Sequence, residues 1–207
     1  MSRRDFAEAL RGVRCWDRGV QEVFEARGEP VVDCVLQNRD ELIGLCEVIA
    51  QHRIRSFVEV GIWTGRLAST LHQIFDFDLV GVCDHRWAEQ LGLPITVPDD
   101  ARTCWADSDS AAYRRWREEL GPVDLVFIDA NHSYRAVCRD FEINRGLPHR
   151  FLAFHDITGA HRATRGVGRF WRELSHGHKR EIVRPHRALG LDHSIMGIGL
   201  WSASEVP

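Results

Sequence analysis

Five carboxylic acids fall where apolar runs stop: Glu59, Asp84, Asp107, Asp129 and Asp156. One acid at such a point is an ordinary turn or cap residue. Recurring at the ends of successive buried runs, they point instead to a single rim of hydrogen-bond acceptors. Glu59 lies in Ser56-Phe-Val-Glu-Val-Gly-Ile-Trp-Thr-Gly65, two residues ahead of Gly61. A carboxylate there disfavours phosphate and accepts hydrogen bonds from an amine or from hydroxyls. Gly61 supplies a sharp turn, and Gly65 lets a helix begin close to a ligand. Asp84 ends Leu79-Val-Gly-Val-Cys-Asp84, 23 positions beyond Gly61. That interval suits an acid at the end of a second strand that holds ribose hydroxyls. The expected ligand is therefore cationic or sugar-bearing. Gly61-Ile-Trp-Thr-Gly65 also lacks the Gly-x-Gly-x-x-Gly spacing that admits a pyrophosphate.

The elements that must position these residues follow from periodicity. Apolar runs predict strands at 56–60, 79–83, 102–106, 124–129, 151–155, 180–184 and 195–201, and several, such as Leu125-Val-Phe-Ile128, are unbroken enough to be covered on both faces. Helical patterns fall between them at 65–75, 109–120, 134–146 and 164–175. Strand alternating with helix predicts an α/β fold: a doubly wound, Rossmann-like sheet of seven strands, mostly parallel, with an antiparallel last strand. Residues 1–54 are read as an N-terminal helical extension packed on the core formed by 55–207, one structural domain in all. In that extension a helix over 4–27 carries Phe6, Leu10, Val13, Val20, Val23 and Phe24 and stops at Gly28 and Pro30. A second opens after Asn38, a suitable N-cap. Leu93–Asp100 is expected to be a flexible loop near the site.

Composition removes several classes of function. The chain has 207 residues, 44% hydrophobic and 28% charged, with a formal net charge of −3. That charge gives no general reason to expect nucleic acid. Tyr113-Arg-Arg-Trp-Arg-Glu-Glu-Leu120 reads as an amphipathic helix with Trp116 and Leu120 inward and its charges outward. No apolar run approaches the roughly 20 residues that span a bilayer, and the charged N-terminus does not resemble a secretory signal. Six scattered cysteines without a Cys-x-x-Cys pair read as buried apolar residues of a reducing, cytoplasmic compartment. A Gly-x-Ser-x-Gly elbow, a P-loop and a helical His-x-x-x-His pair are all missing from the sequence. Among the histidines, His161, His186 and His193 lie in loops able to cover a site. Gly166-Val-Gly168 reads as the start of a packing helix.

Four segments carry a resemblance: Val58-Glu-Val-Gly-Ile-Trp-Thr-Gly65; Trp105-Ala-Asp-Ser108; Val126-Phe-Ile-Asp-Ala-Asn-His-Ser-Tyr134 with Asp140-Phe141; and Phe154-His-Asp-Ile157 followed by Gly166-Val-Gly-Arg-Phe-Trp171. Together they resemble the class I S-adenosylmethionine (SAM)-dependent methyltransferases. Within these the chain is similar to the methyltransferase domain 24 group, related to cephalosporin-hydroxylase-like and macrolide-sugar O-methyltransferases. The likeness runs from about residue 37 to 201. It implies that Glu59, Gly61, Trp63, Thr64 and Gly65 hold the amino-acid end of SAM, that Asp84 takes the ribose hydroxyls, and that Asp107 with Ser108 faces the adenine. It further implies a divalent cation, usually magnesium, near Asp129 and Asp156, with Asp129 shared between donor and cation. His132 matches the position of a general base.

Where relatives carry a carboxylate or amide pair at the cation-binding strand end, this chain has His155-Asp156. Histidine is a poorer magnesium ligand and favours softer metals. Magnesium on Asp129 and Asp156, another metal with His155 among its ligands, and no metal at all therefore stay open. The activity so implied is methyl transfer to a hydroxyl oxygen of a small molecule, such as a sugar or secondary metabolite. Neither nucleic acid nor membrane is expected as a partner, and the N-terminal helices offer a surface for a homodimer. A nicotinamide-dependent oxidoreductase and a non-catalytic SAM-binding protein are the alternative readings.

Overall fold

The computed structural model describes residues 1–27 and 32–205, the side chains of 23–27 excepted. The expected roles of Val23, Phe24, Gly28 and Pro30 lie outside the described residues. Seven strands form one sheet: β1 (Ser56–Val60), β2 (Leu79–Cys83), β3 (Arg102–Cys104), β4 (Val123–Ile128), β5 (His149–His155), β6 (His178–Ile182) and β7 (Ile198–Ser202). Their order is β3-β2-β1-β4-β5-β7-β6. β7 runs antiparallel to both of its neighbours, and the remaining pairs are parallel. The sheet is thus doubly wound and Rossmann-like, with the expected antiparallel last strand.

Alternation along the strands divides the core. Phe57, Val80, Val82, Leu125, Phe127, Phe151, Ala153, Ile198 and Leu200 face one side, where Leu42, Leu45, Leu67 and Leu71 cover them. Val58, Val60, Cys83, Val126, Ile128, Leu152 and Phe154 face the other, under Val137, Phe141, Val167, Phe170 and Trp171. Phe57 and Phe127 are fully buried, each contributing about 2–3 kcal/mol of transfer free energy. The helices are α1 (Arg3–Ala9), α2 (Arg18–Arg27), α3 (Arg39–Gln51), α4 (Arg66–Phe75), α5 (Arg86–Gln90), α6 (Ala111–Glu119), α7 (Tyr134–Arg145) and α8 (Arg165–Glu173).

Three expectations need correction. The helix expected over 4–27 is two helices. α1 starts on a capping box between Ser2 and Asp5 and ends at Leu10. Arg39 then takes the Leu10 and Val13 carbonyls, which a continuing helix would have bonded internally. Cys15 pairs with Val35 in an isolated bridge, and the Asp17 carboxyl accepts the Val20 N–H at 2.9 Å where α2 begins. Second, Arg117 points inward. It is fully buried and donates to the carbonyls of Gly121 and Pro148, both at 2.9 Å, while Trp116 and Leu120 are half-buried. Third, Leu93–Asp100 is anchored. Thr96 N–H donates to Thr64 O at 2.9 Å, and Ser69 Oγ donates to Thr96 O at 3.1 Å.

α3 starts, as expected, on Asn38, whose side chain accepts the Asp40 N–H. The side-chain amide of Asn38 donates to Arg184 O at 3.0 Å. Next on the helix, the buried Glu41 carboxyl accepts the Arg184 N–H at 3.0 Å, the Ser194 hydroxyl at 2.5 Å and the Gly197 N–H at 2.9 Å. The N-terminal extension therefore fastens the β6–β7 connection over the open end of the sheet.

Candidate active site

Register decides which acids meet. Val60 is aligned with Cys83 on one side and Ile128 on the other, and Ile128 with Phe154. One residue further along, Gly61, Asp84, Asp129 and His155 reach the same level, and Asp156 lies just beyond. A cleft of about 1260 Å³ opens there, with Glu59, Asp84, Asp129 and Asp156 on its walls. Asp107 stays outside that lining, 48% exposed in its side chain and 3.0 Å from Arg86 Nε.

Gly61 has φ of +88°. A Cβ there would stand 2.3 Å from Ala130 Cα and 2.4 Å from Asp129 O, so glycine is required both by conformation and by the approach of the β4 loop. Gly65, with φ of +77°, is the N-cap of α4. The space beside it is filled by Thr96 O, 2.4 Å from a built Cβ. Trp63, Thr64 and Gly65 all line the cleft, and Thr64 Oγ1 donates to Val32 O at 3.0 Å.

Glu59 is only 4% exposed and accepts the Ala68 N–H at 3.0 Å, satisfying one of the donors that the first turn of α4 leaves over. Burial, and then the charge of Asp129, push its carboxyl up to about 8 despite that hydrogen bond. Asp84, in the left-handed region at φ of +57°, accepts Ser108 N–H at 3.0 Å and the Arg86 side chain at 2.9 and 2.7 Å. Burial works against its charge, but Arg86 and the Ser108 N–H outweigh it and hold the group below the usual carboxylate range. Ser108 itself is buried and faces a separate cavity of about 180 Å³.

His132, Asp129, His155 and Asp156 gather at the C-terminal ends of β4 and β5. His132 precedes α7, whose N-cap Ser133 accepts the Ala136 N–H. Its Nε2 lies 2.9 Å from Asp129 Oδ1 and 3.8 Å from Asp156 Oδ2. Burial favours the neutral ring, yet the hydrogen bond and charge of Asp129 raise the imidazole above its ordinary range. His155 lies behind the two acids, 4% exposed in its side chain, with Nδ1 3.2 Å from Asp129 Oδ2 and 3.7 Å from Asp156 Oδ2. Burial resists its protonation, but the charges of Asp129 and Asp156 lift it to about 9. For Asp129, burial opposes the charge, while His155 and His132 hold the carboxyl well below the usual range. Asp156 is raised by burial, against the charge of His155.

Of the expected cation ligands, Asp129 and Asp156 present oxygens that converge with His132 Nε2, all within 4.8 Å of one another. His155 stands behind them. Two carboxylates and one imidazole fit a divalent cation with mixed nitrogen and oxygen ligands. Nε2 of His132 now faces Asp129 at hydrogen-bond distance, so a cation there would displace a proton. The same nitrogen cannot serve a metal and an acceptor hydroxyl together.

Sequence reasoning missed several lining residues. Gln37 is 2% exposed, with Nε2 3.5 Å from Asp129 Oδ2, and no spacing rule marks it. Trp87 and Leu91, on and just after α5, line the cleft in place of the 93–100 loop, and Ile195 and Met196 enter from the β6–β7 connection. Arg86 carried the one usable signal, a cation two residues after a strand-end acid. Of the three loop histidines, His161 lines the cleft. His186 is buried and bonds Trp16 O at 2.9 Å, and His193 is exposed beside Asp192. Gly166, as expected, packs at the start of α8, against the backbone of His132 and Tyr134.

Residues 58–157, which hold β2, β3, β4, β5, the end of β1 and all four cleft acids, match the family model described as a methyltransferase domain. Over those residues the chain is similar to methyltransferase domains. No curated protein matches the sequence. The fold recurs in the O-methyltransferase from Bacillus cereus in complex with SAH, at 16% identity, TM-score 0.55 and 89% coverage of each chain. It recurs in the O-methyltransferase TomG from Streptomyces achromogenes, involved in tomaymycin synthesis and solved with SAM, at 13% identity, TM-score 0.55, and 98% and 99% coverage. The N-methyltransferase NodS from Bradyrhizobium japonicum shares it too, at 12% identity, TM-score 0.51, and 81% and 96% coverage. The fold thus accommodates both oxygen and nitrogen acceptors. Among the described residues, no helix is long and apolar enough to cross a membrane.

Proposed function

We propose that this protein transfers a methyl group from SAM to a hydroxyl oxygen of a small molecule, with His132 as general base. The observation that carries the reading is the placement of His132 in the cleft that Glu59 and Asp84 also line, with its Nε2 2.9 Å from Asp129 Oδ1. The cleft volume of about 1260 Å³ leaves room for an acceptor beside the donor. Support for SAM rather than a nicotinamide cofactor comes from the methyltransferase-domain match and from the SAH and SAM complexes of the structural neighbours.

In the proposed reaction the acceptor oxygen attacks the methyl carbon in line with the carbon–sulfur bond. That bond breaks with its electrons passing to sulfur, so the sulfonium becomes a neutral thioether. The hydroxyl proton passes to Nδ1 of His132, while Nε2–H stays on Asp129, which orients and stabilises the imidazolium. Alignment of the two reactants supplies much of the acceleration. Glu59 and Asp129 form an acidic corner suited to the donor's ammonium group, and Asp84 to its ribose hydroxyls. If a divalent cation takes part, Asp129, Asp156 and His132 would hold it, and it would lower the pKa of an oxygen bound to it in place of general-base catalysis by His132.

Calorimetric titration with SAM and SAH, with and without magnesium, tests the donor assignment. Micromolar binding supports it, and no binding to either ligand under any metal condition overturns it. Turnover of hydroxylated acceptors after chelation, and its recovery on adding magnesium, manganese or zinc, tests the cation. Unchanged turnover after chelation removes the metal from the reaction.

A further inference from the structure

Arg86 occupies the group assigned to the donor's ribose. Asp84 Oδ1 receives Arg86 Nε at 2.9 Å and the Arg86 backbone N–H at 3.5 Å. Its Oδ2 receives Arg86 Nη2 at 2.7 Å and Ser108 N–H at 3.0 Å. An ionised carboxyl group offers about four acceptor directions, so the protein's own donors fill Asp84. A vicinal diol needs two of those directions, and three of the four are held by Arg86. Backbone groups cannot leave without unravelling α5 or the β3 loop. The guanidinium can, because the side chain is 35% exposed and already lies 3.0 Å from Asp107, an acid outside the cleft.

Arg86 is also a partition. It lines both the large cleft and the small cavity of about 180 Å³. The wall of that second cavity includes Asp140, which is 1% exposed and whose two carboxyl oxygens lack a hydrogen-bond partner. Moving Arg86 off Asp84 would therefore free a bidentate acceptor and open the cleft toward a polar chamber.

Resting on the SAM reading above, we propose that Arg86 is a displaceable plug of the donor's nucleoside site: it must move from Asp84 onto Asp107 before a ribose diol binds. Donor binding then includes breaking a bidentate, charge-assisted pair, and Arg86 sets donor affinity without joining methyl transfer. Arg86→Met keeps the length of the side chain and removes its charge and donors. Arg86→Lys keeps the charge and loses the fork.

The test measures SAM and SAH affinity of both variants and the wild-type protein by calorimetry, and SAH association by stopped-flow fluorescence, using Trp63 and Trp87 in the cleft wall. Arg86→Met is expected to bind about tenfold more tightly than wild type, a gain moderated by the partial exposure of the pair, and Arg86→Lys to fall between. The wild-type association rate should level off with SAH concentration as plug opening becomes limiting, and Arg86→Met should stay linear. Wild-type binding with equal or weaker binding by Arg86→Met overturns the plug and leaves the SAM reading intact. Failure of all three proteins to bind either ligand, with native circular dichroism, overturns the SAM reading and the plug with it.

Discussion

Replacing Glu41 should both loosen the fold and blur the acceptor side of the cleft. The Glu41 side chain holds three donors from the β6–β7 connection: Arg184 N–H at 3.0 Å, Ser194 Oγ at 2.5 Å and Gly197 N–H at 2.9 Å. In Glu41→Ala the buried Gly197 N–H loses its partner, at a cost of about 1–3 kcal/mol. The other two bonds are part-buried, so water can replace Glu41 at them, and each accounts for about 1 kcal/mol. The expected total is about 3–5 kcal/mol. For a chain of this size that lowers Tm by roughly 10 °C. Glu41→Gln keeps the volume and one acceptor oxygen but turns an amide toward a donor, so about half that loss is expected. Because Ile195 and Met196 line the cleft from the segment Glu41 holds, the acceptor KM should rise while SAM affinity changes little. Urea denaturation and steady-state kinetics check this. A loss under about 1 kcal/mol for Glu41→Ala, or an unchanged acceptor KM, would refute the idea that α3 fastens this loop.

Three further outcomes follow from the site. His132→Ala should lower kcat by about 10²–10⁴-fold, the range for loss of a general base, with SAM affinity kept; unchanged turnover removes His132 from the mechanism. Gly61→Ala should cost about 3 kcal/mol or more and abolish donor binding, since its Cβ would stand 2.3 Å from Ala130 Cα; a variant with wild-type Tm and SAM affinity contradicts this. Glu59 is raised to about 8 from 4.5, so the stability its neutral form gives is full below about 4.5 and is lost as pH rises through 8. Glu59→Gln, which stays neutral, should therefore gain Tm over wild type at pH 8 more than at pH 5, and an equal difference at both values would contradict the buried, neutral-favouring environment.

The sequence alone determined the central strands, because strands covered on both faces are apolar along most of their length, whereas β3 and β6 at the sheet edges are largely exposed and polar. It also marked Glu59, Asp84, Asp129 and Asp156, since chain direction in a parallel sheet sends the C-terminal ends of the strands to one rim, whereas His132 was marked only by the family resemblance. Tertiary structure decided the rest. Asp107 leaves the cleft because β3 stops at Cys104 and Arg86 draws the acid outward, a choice made by a side chain rather than by spacing. His155 stands in register with Asp129, so it turns toward that acid from behind, while His132 brings the third converging atom from a loop. Arg117 is buried by carbonyl partners from two distant turns, which helical periodicity cannot anticipate. Gln37, Ile195 and Met196 reach the cleft only because Glu41 and Asn38 tie together segments more than 140 residues apart. Local pattern fixes what a strand or helix buries; which loops meet above the sheet depends on hydrogen bonds between residues whose separation in sequence carries no signal.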